Sequence, residues 1–343
     1  MPNHSLFGQE SLIPPRVTDF PLPKTVSLCG ERMPLEDRRV WEMLDREFTI
    51  SVYDRAQVIM WMKRAGRYFP YIEKKLAEAG MPDDLKYLAL AESALIGYVR
   101  SRAGAKGYWQ FMARTARRRG LRKDRMVDER LHFELSTEAA LRHLRYLKKK
   151  FGSWTLAMAA YNCGESRLKR EIKHQRVKDY YRLNLPVETE RYIFRIAAIK
   201  IIMENPEDFG YHLPPERIYK PLEVDVVRVK STARLHLSDV AEALDTDFKT
   251  LKELNPHILG YHLPTGRFYM KVPAGKGEML PAVIARLTPA RSLHRSGTYY
   301  VVRPGDTLHR ISKKTGVSVA RLKDINGIRG SLIRAGQKLR LHP

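Results

Sequence analysis

The feature that most constrains this chain is a change of texture near residue 220. Before it, from about 41 to 210, apolar residues recur at spacings of three and four, the signature of amphipathic helices. After it, Val224-Asp225-Val226-Val227-Arg228-Val229 and Thr298-Tyr299-Tyr300-Val301-Val302 read as strands, each followed by a short helical pattern. The two later segments repeat one another at a shift of 71: Leu237, Val240, Phe248, Leu251 and Asn255 fall on Leu308, Ile311, Val319, Leu322 and Asn326. Each copy then reaches a glycine, Gly266 or Gly336, and a final strand over 268–272 or 338–341. The pattern predicts an all-helical domain followed by two small strand–helix–helix–strand units.

Punctuation residues divide the chain further. Residues 1–40, with Pro14, Pro15, Pro21, Pro23 and Pro34, read as an extended lead-in. Helices are expected over 41–48 and 56–80, then from Pro82-Asp83-Asp84, whose carboxylates suit the positive end of a helix. Ser136-Thr137-Glu138 is expected to open another, with a stripe of Ala140, Leu141, Leu144 and Leu147. Two short helices, 153–162 and 164–175, meet at Gly164, and a last one starts after Pro186 and stops at Asn205-Pro206. The expected division is a lead-in over 1–40, a helical domain over 41–215, a first module over 222–275, a linker over 276–297 and a second module over 298–343.

Charge indicates the kind of neighbour. Lys and Arg number 62 against 38 Asp and Glu, a formal net charge of +24, which implies nucleic acid, acidic lipid or an anionic cell-wall polymer. Residues 291–343 alone hold 12 Lys or Arg and 2 Asp. Cys29 and Cys163 make no disulfide framework, and the 11 histidines show no metal-binding spacing, so no metal is expected. No run of 18 uncharged apolar residues predicts a transmembrane helix, and the first residues lack the pattern of a secretion signal.

One carboxylate stands out. Leu85, Leu88 and Ala89 lie at i, i+3 and i+4 of a helical stripe, and the next member, at i+7, is Glu92. A carboxyl there points to core or cleft wall, where removal from water favours the neutral form that a general acid needs. The alternative is a helix-end Glu paired with one of the many arginines. Beyond it, a small-residue loop, Ser101-Arg102-Ala103-Gly104-Ala105-Lys106-Gly107, enters Tyr108-Trp109-Gln110-Phe111-Met112, and Ala160-Tyr161-Asn162-Cys163-Gly164-Glu165 breaks a later helix. Aromatic faces beside amides suit N-acetylated sugars.

These stretches, in this order, resemble the Glu-Ser, Gly-x-x-Gln and Ala-Tyr-Asn-Ala-Gly motifs of soluble-lytic-transglycosylase-type (SLT) domains, and Glu188-Thr189-Glu190-Arg191-Tyr192 is similar to the family's Glu-Thr-x-x-Tyr segment. Tyr300-Val301-Val302-Arg303-Pro304-Gly305-Asp306-Thr307-Leu308, with Ile311 and Leu322 through Asn326, resembles a LysM module, of which 224–273 looks like a degenerate copy. Over about 40–343 the chain thus resembles the membrane-bound lytic murein transglycosylase D type.

The resemblance implies a mainly α, lysozyme-like catalytic domain followed by two small α+β LysM-type modules (βααβ). It implies cleavage of the MurNAc–GlcNAc bond of peptidoglycan without water, leaving 1,6-anhydro ends, and no cofactor. By the same resemblance Glu92 is the catalytic acid and base, and Ser93, Gln110, Met112, Tyr161, Asn162 and Tyr192 form the substrate site. Core packing is the expected role of Trp109, and helix capping that of Glu165. Ala94-Leu95 departs from the usual Gly-Phe after Glu-Ser, and Cys163 replaces a common alanine. Peptidoglycan strands are the expected partner, with anionic envelope polymers second and nucleic acid ranked last. Residence in the periplasm or envelope is expected, with the start of the natural chain lying upstream. The rival readings are a catalytically inactive peptidoglycan-binding protein and a hydrolytic muramidase.

Overall fold

The computed structural model describes residues 19–288, 299–328 and 330–341. The stretch expected as an extended lead-in instead contains a hairpin, β1 (Ser27–Leu28) and β2 (Glu31–Arg32). Its turn is made by Cys29 and Gly30, both at positive φ (56° and 77°), as a two-residue hairpin requires. Leu28 and Met33 are buried in the main core. Residues 1–18 of that stretch lie outside the described residues.

The helical domain comprises α1 (Arg38–Tyr53), α2 (Arg55–Glu78), α3 (Lys86–Ser93), α4 (Ala113–Arg118), α5 (Phe133–Phe151), α6 (Trp154–Cys163), α7 (Glu165–Gln175) and α8 (Val187–Glu204). Asp54 separates the first two, ending α1 and accepting the Gln57 N–H at 3.1 Å to start α2. The central element is α8, which is apolar around most of its circumference and packs on α1, α3 and α6. Ile193, Ile196, Ala197, Ile199 and Ile202 are fully buried on it. The helix expected to open at Ser136 begins three residues earlier, capped by His132. Ser136 and Thr137 can lie inside its first turn because their hydroxyls donate back to the Phe133 carbonyl at 3.0 and 2.8 Å.

Both later segments have the strand–helix–helix–strand order. The first comprises β3 (Val224–Ser231), α9 (Leu237–Ala243), α10 (Phe248–Leu254) and β4 (Gly266–Pro273), with β3 and β4 antiparallel. The stretch expected as a linker after it holds a further helix, α11 (Leu280–Leu287). Its Leu280, Val283 and Ile284 follow the i, i+3, i+4 rule and are buried against the module, so this segment belongs to the fold. The second comprises β5 (Tyr299–Val301), α12 (Leu308–Thr315), α13 (Val319–Asn326) and β6 (Lys338–Arg340).

The repeated asparagine has one job in both copies. The Asn255 amide donates to Leu251 and Lys271 carbonyls at 2.8 and 2.6 Å and accepts the Lys271 N–H at 2.7 Å. The Asn326 amide does the same with Leu322, Arg340 and the Arg340 N–H, at 2.8, 2.8 and 2.6 Å. Each ties the end of the second helix to the last strand, eight residues long in the first copy and three in the second.

The first module is fastened to the helical domain. Asp128 donates its N–H to the His257 carbonyl at 2.8 Å, and Leu259 donates to Met126 at 2.7 Å. Lys271 bonds Glu134 at 2.6 Å, and the His132 and His257 rings pack with centroids 4.6 Å apart. Although burial alone would raise the Glu134 carboxyl, His132 and Lys271 hold it down at about 2; burial drives the His257 imidazole to about 3. Beside this seam, Asp128 and Arg130 form a buried bidentate pair at 2.8 Å. Asp128→Ala leaves that guanidinium buried without its partner, and a chemical denaturation curve should show a loss of about 3–5 kcal/mol.

Candidate active site

Glu92 occupies the last turn of α3, half-buried, with the negative end of the helix beside it. Burial pushes its carboxyl up to about 7; Glu188 adds to this, while Tyr192 and Arg195 oppose it. The Tyr192 hydroxyl, on the buried face of α8, donates to Glu92 Oε1 at 2.5 Å. Tyr161 of α6 is the other neighbour, and the Glu92 charge raises both tyrosines above the usual phenol range after burial itself. Near neutral pH, therefore, Glu92 is poised between acid and base, and Tyr192 fixes its orientation in either state.

Immediately after α3 the backbone turns through two residues in the left-handed region, Ala94 (φ 51°) and Leu95 (φ 58°). Ala94 closes the helix with an N–H to the Leu90 carbonyl at 2.8 Å, and its own carbonyl accepts from Arg64 at 3.2 Å. Leu95 is buried. A glycine would adopt the Ala94 conformation without steric cost.

The loop over 99–112 forms a second wall held by side chains around it. The Ser93 hydroxyl donates to the Tyr108 carbonyl and the Tyr161 hydroxyl to the Trp109 carbonyl, each at 2.7 Å. Gln110, itself at φ 44°, returns its amide NH₂ to the Val99 and Gly107 carbonyls at 3.1 and 2.9 Å. Arg130 donates to the Gly104 and Phe111 carbonyls at 3.1 and 2.9 Å, linking the loop to the Asp128 pair. Only glycine fits at 107, where a Cβ would stand 1.9 Å from the Arg130 carbonyl oxygen.

Of the expected site residues, Glu92, Tyr161 and Tyr192 come together. Ser93 is buried and directs its hydroxyl into the loop backbone. Gln110 commits its donors to the loop, and Met112 is 45% exposed where the loop enters α4. Asn162 accepts the Thr189 hydroxyl on Oδ1 at 2.8 Å. Trp109 is fully buried with Nε1 on Thr137 at 2.9 Å, and Glu165 opens α7 in an ion pair with Lys150. Burial raises the Cys163 thiol, which makes it a poor nucleophile. Sequence reasoning gave no role to Glu188 or Arg195, the charged residues that bias Glu92, nor to Arg130; no spacing rule marks a guanidinium that serves backbone carbonyls. A cavity of about 690 Å³ between α1 and the segment leading into α8 is lined by Arg39, Arg46, Tyr181 and Arg182, and not by Glu92. Among the described residues, no cluster of His, Cys, Asp or Glu is arranged to hold a metal.

Comparison with known proteins places this site in a recognised setting. The transglycosylase SLT domain family matches residues 69–184, and the LysM domain family matches residues 300–341. Membrane-bound lytic murein transglycosylase D of Escherichia coli strain K12 is 32% identical over 290 residues, 80% of this chain and 63% of that protein. The chain therefore spans somewhat less than two thirds of the length of that relative. A putative tributyltin chloride resistance protein of Alteromonas is 35% identical over 119 residues, 34% of this chain and 58% of that one. An autolysin of Enterococcus faecalis is 54% identical over 44 residues, 13% of this chain and 6% of that one.

Two substitutions test the geometry. Ala94→Gly relieves the left-handed alanine but loosens the unfolded chain, for a net gain of about 0.5–1 kcal/mol in unfolding free energy. Tyr192→Phe removes a hydrogen bond to the carboxylate, so Glu92 should titrate above about 7 when its carboxyl carbon is followed by NMR.

Proposed function

We propose that the protein is a peptidoglycan lytic transglycosylase that cuts the bond between N-acetylmuramic acid and N-acetylglucosamine and leaves 1,6-anhydro ends. The observation that carries this reading is the half-buried Glu92, lifted to about 7 and fixed by Tyr192. In the first step protonated Glu92 gives its proton to the glycosidic oxygen as the bond to the muramoyl C1 breaks. In the second the resulting carboxylate takes the proton of the muramoyl 6-hydroxyl as O6 bonds C1. The proton returns to Glu92, and no water is consumed. One carboxyl suffices because each step leaves it in the state the next requires, unlike the paired carboxylates of most glycosidases.

The sugar site is the wall formed by α3, α6 and the 99–112 loop. Asn162 would donate to the substrate near the reacting carbon, and the Gln110 carbonyl and Met112 would line the groove. In this reading Ser93 and Tyr161 hold the loop rather than the sugar. The domain limits given above for the sequence are kept as part of the proposal, with β1, β2 and the start of α1 moved into the helical domain and α11 added to the first module. That module is read as a degenerate LysM copy, supported by the shared asparagine clamp. The second grips the glycan and concentrates the enzyme on an immobile polymer. Its basic surface adds an attraction for anionic envelope polymers. The relative's name places it at a membrane, and periplasmic or envelope residence is the matching proposal for this chain. No described helix is long and apolar enough to cross a membrane.

A second reading rests on Glu188, whose charge reaches Glu92 from the first turn of α8. A carboxylate there could activate water and make the enzyme a hydrolytic muramidase. Mass analysis of fragments released from intact peptidoglycan separates the two. Anhydro ends from the wild-type protein, reduced at least about 100-fold by Glu92→Gln, support the lyase; reducing ends would transfer the assignment to a hydrolase. If neither protein releases fragments while both sediment with the polymer, the cleft is inactive.

A further inference from the structure

The same pattern that marks Glu92 occurs once more. On α1, Val40, Leu44 and Phe48 are buried on one face, and Glu47 lies among them at 2% exposure. It is seven residues after Val40, as Glu92 is seven after Leu85. A carboxylate in such a place needs partners, and Glu47 has three. Its Oε1 accepts from Arg191 Nε at 2.7 Å, Arg46 pairs with the same oxygen, and Arg195 Nε stands 3.6 Å from Oε2. Arg191 directly precedes Tyr192 on α8, and Arg195 follows it by one turn. Glu47 lies outside residues 69–184, the part matched by the SLT family.

The groups facing Glu92 define what this cluster can do. From α8 come Glu188, Tyr192 and Arg195, and from α6 Tyr161; Arg64 of α2 spends a guanidinium nitrogen on the Ala94 carbonyl. Arg195 is thus the cation on α8 that acts on both carboxylates, ion-paired with Glu47 and only at a distance with Glu92. The free energy of a guanidinium–carboxylate pair is large where water is excluded, so the outcome depends on which carboxylate holds it.

We propose that Glu47 is a positioning residue that engages Arg195 and Arg191, keeping Arg195 off Glu92 so that Glu92 retains the proton it must donate. It acts through α8 and touches no sugar. The role rests on the proposed function in taking Glu92 as the general acid. Without Glu47, Arg195 is free to turn towards Glu92 and hold it as a carboxylate, which cannot begin the reaction.

The test uses the full chain with Glu47→Gln, Arg195→Gln and the two combined. The Glu92 carboxyl is titrated by NMR, and release of anhydro-fragments from peptidoglycan is followed against pH. In Glu47→Gln the Glu92 midpoint should fall by about one unit, as for a carboxylate gaining a cation. Activity near pH 7 should then drop about fivefold while that at pH 5 changes little, because one unit is a tenfold change in proton affinity. Arg195→Gln should raise the midpoint, and the double variant should follow it. An unmoved midpoint in Glu47→Gln, with activity lost equally at every pH, would reduce Glu47 to a staple between α1 and α8 and overturn the proposal. If that variant does not fold, Glu47→Asp, which keeps the charge but shortens the reach to Arg195, takes its place, and a Glu92 midpoint that does not fall there refutes the role. Midpoints that shift as expected in a protein releasing no anhydro ends would uphold the positioning and sink the lyase reading.

Discussion

A carboxyl group keeps its proton near neutral pH only where water is displaced and no cation is close enough to claim the anion. In this fold both conditions depend on one helix contact, that of α3 with α8. The end of α3 delivers Glu92 to the surface of α8, which supplies the shielding, the Tyr192 hydroxyl and the nearby charges. Helix α8 can do so because its long apolar run lets it lie at the centre, with α1, α3 and α6 around it. Among the polar residues it carries, Thr189, Arg191, Tyr192 and Lys200 each have a side-chain partner on another element or segment.

The opposing wall is built on another principle. The first half of the 99–112 loop, residues 101–107, is rich in small residues, while Tyr108, Trp109 and Phe111 anchor the second half in the main core. Hydroxyls from α3 and α6, the Gln110 amide and the Arg130 guanidinium bond carbonyls along both halves. The wall also ties Ser93 and Tyr161, which adjoin Glu92 in the sequence and in the fold respectively, to backbone.

Much of this was legible in the sequence, where periodicity and punctuation residues carry the signal. The helix stripes, the break at Gly164, the repeat at a shift of 71 and the placement of Glu92 on an apolar stripe all follow from local spacing. Glu47 carries the same signal, but nothing beside it in sequence suggests chemistry; two of its three partners, Arg191 and Arg195, are about 150 residues away on α8. The hairpin over 27–32 was obscured by the prolines around it, and α11 by a proline at its start, where proline is tolerated. The start of α5 was misplaced because Ser136 and Thr137, good capping residues, find an acceptor one turn back. What the sequence withheld was long-range: which hydroxyl meets which carbonyl, and that the first module bonds Asp128.

That last contact changes where the packed unit around Glu92 ends. Family boundaries at residue 184 exclude α8, and a cut near 215 retains it but strips β4 and the 257–259 segment from the seam. Such a fragment would expose Met126 and Asp128 backbone groups, leave Glu134 without Lys271, and free one side of the segment from which Arg130 supports the loop. The seam therefore makes the segment through α11 one packed body with the helical domain, about a hundred residues beyond the end of the SLT family match.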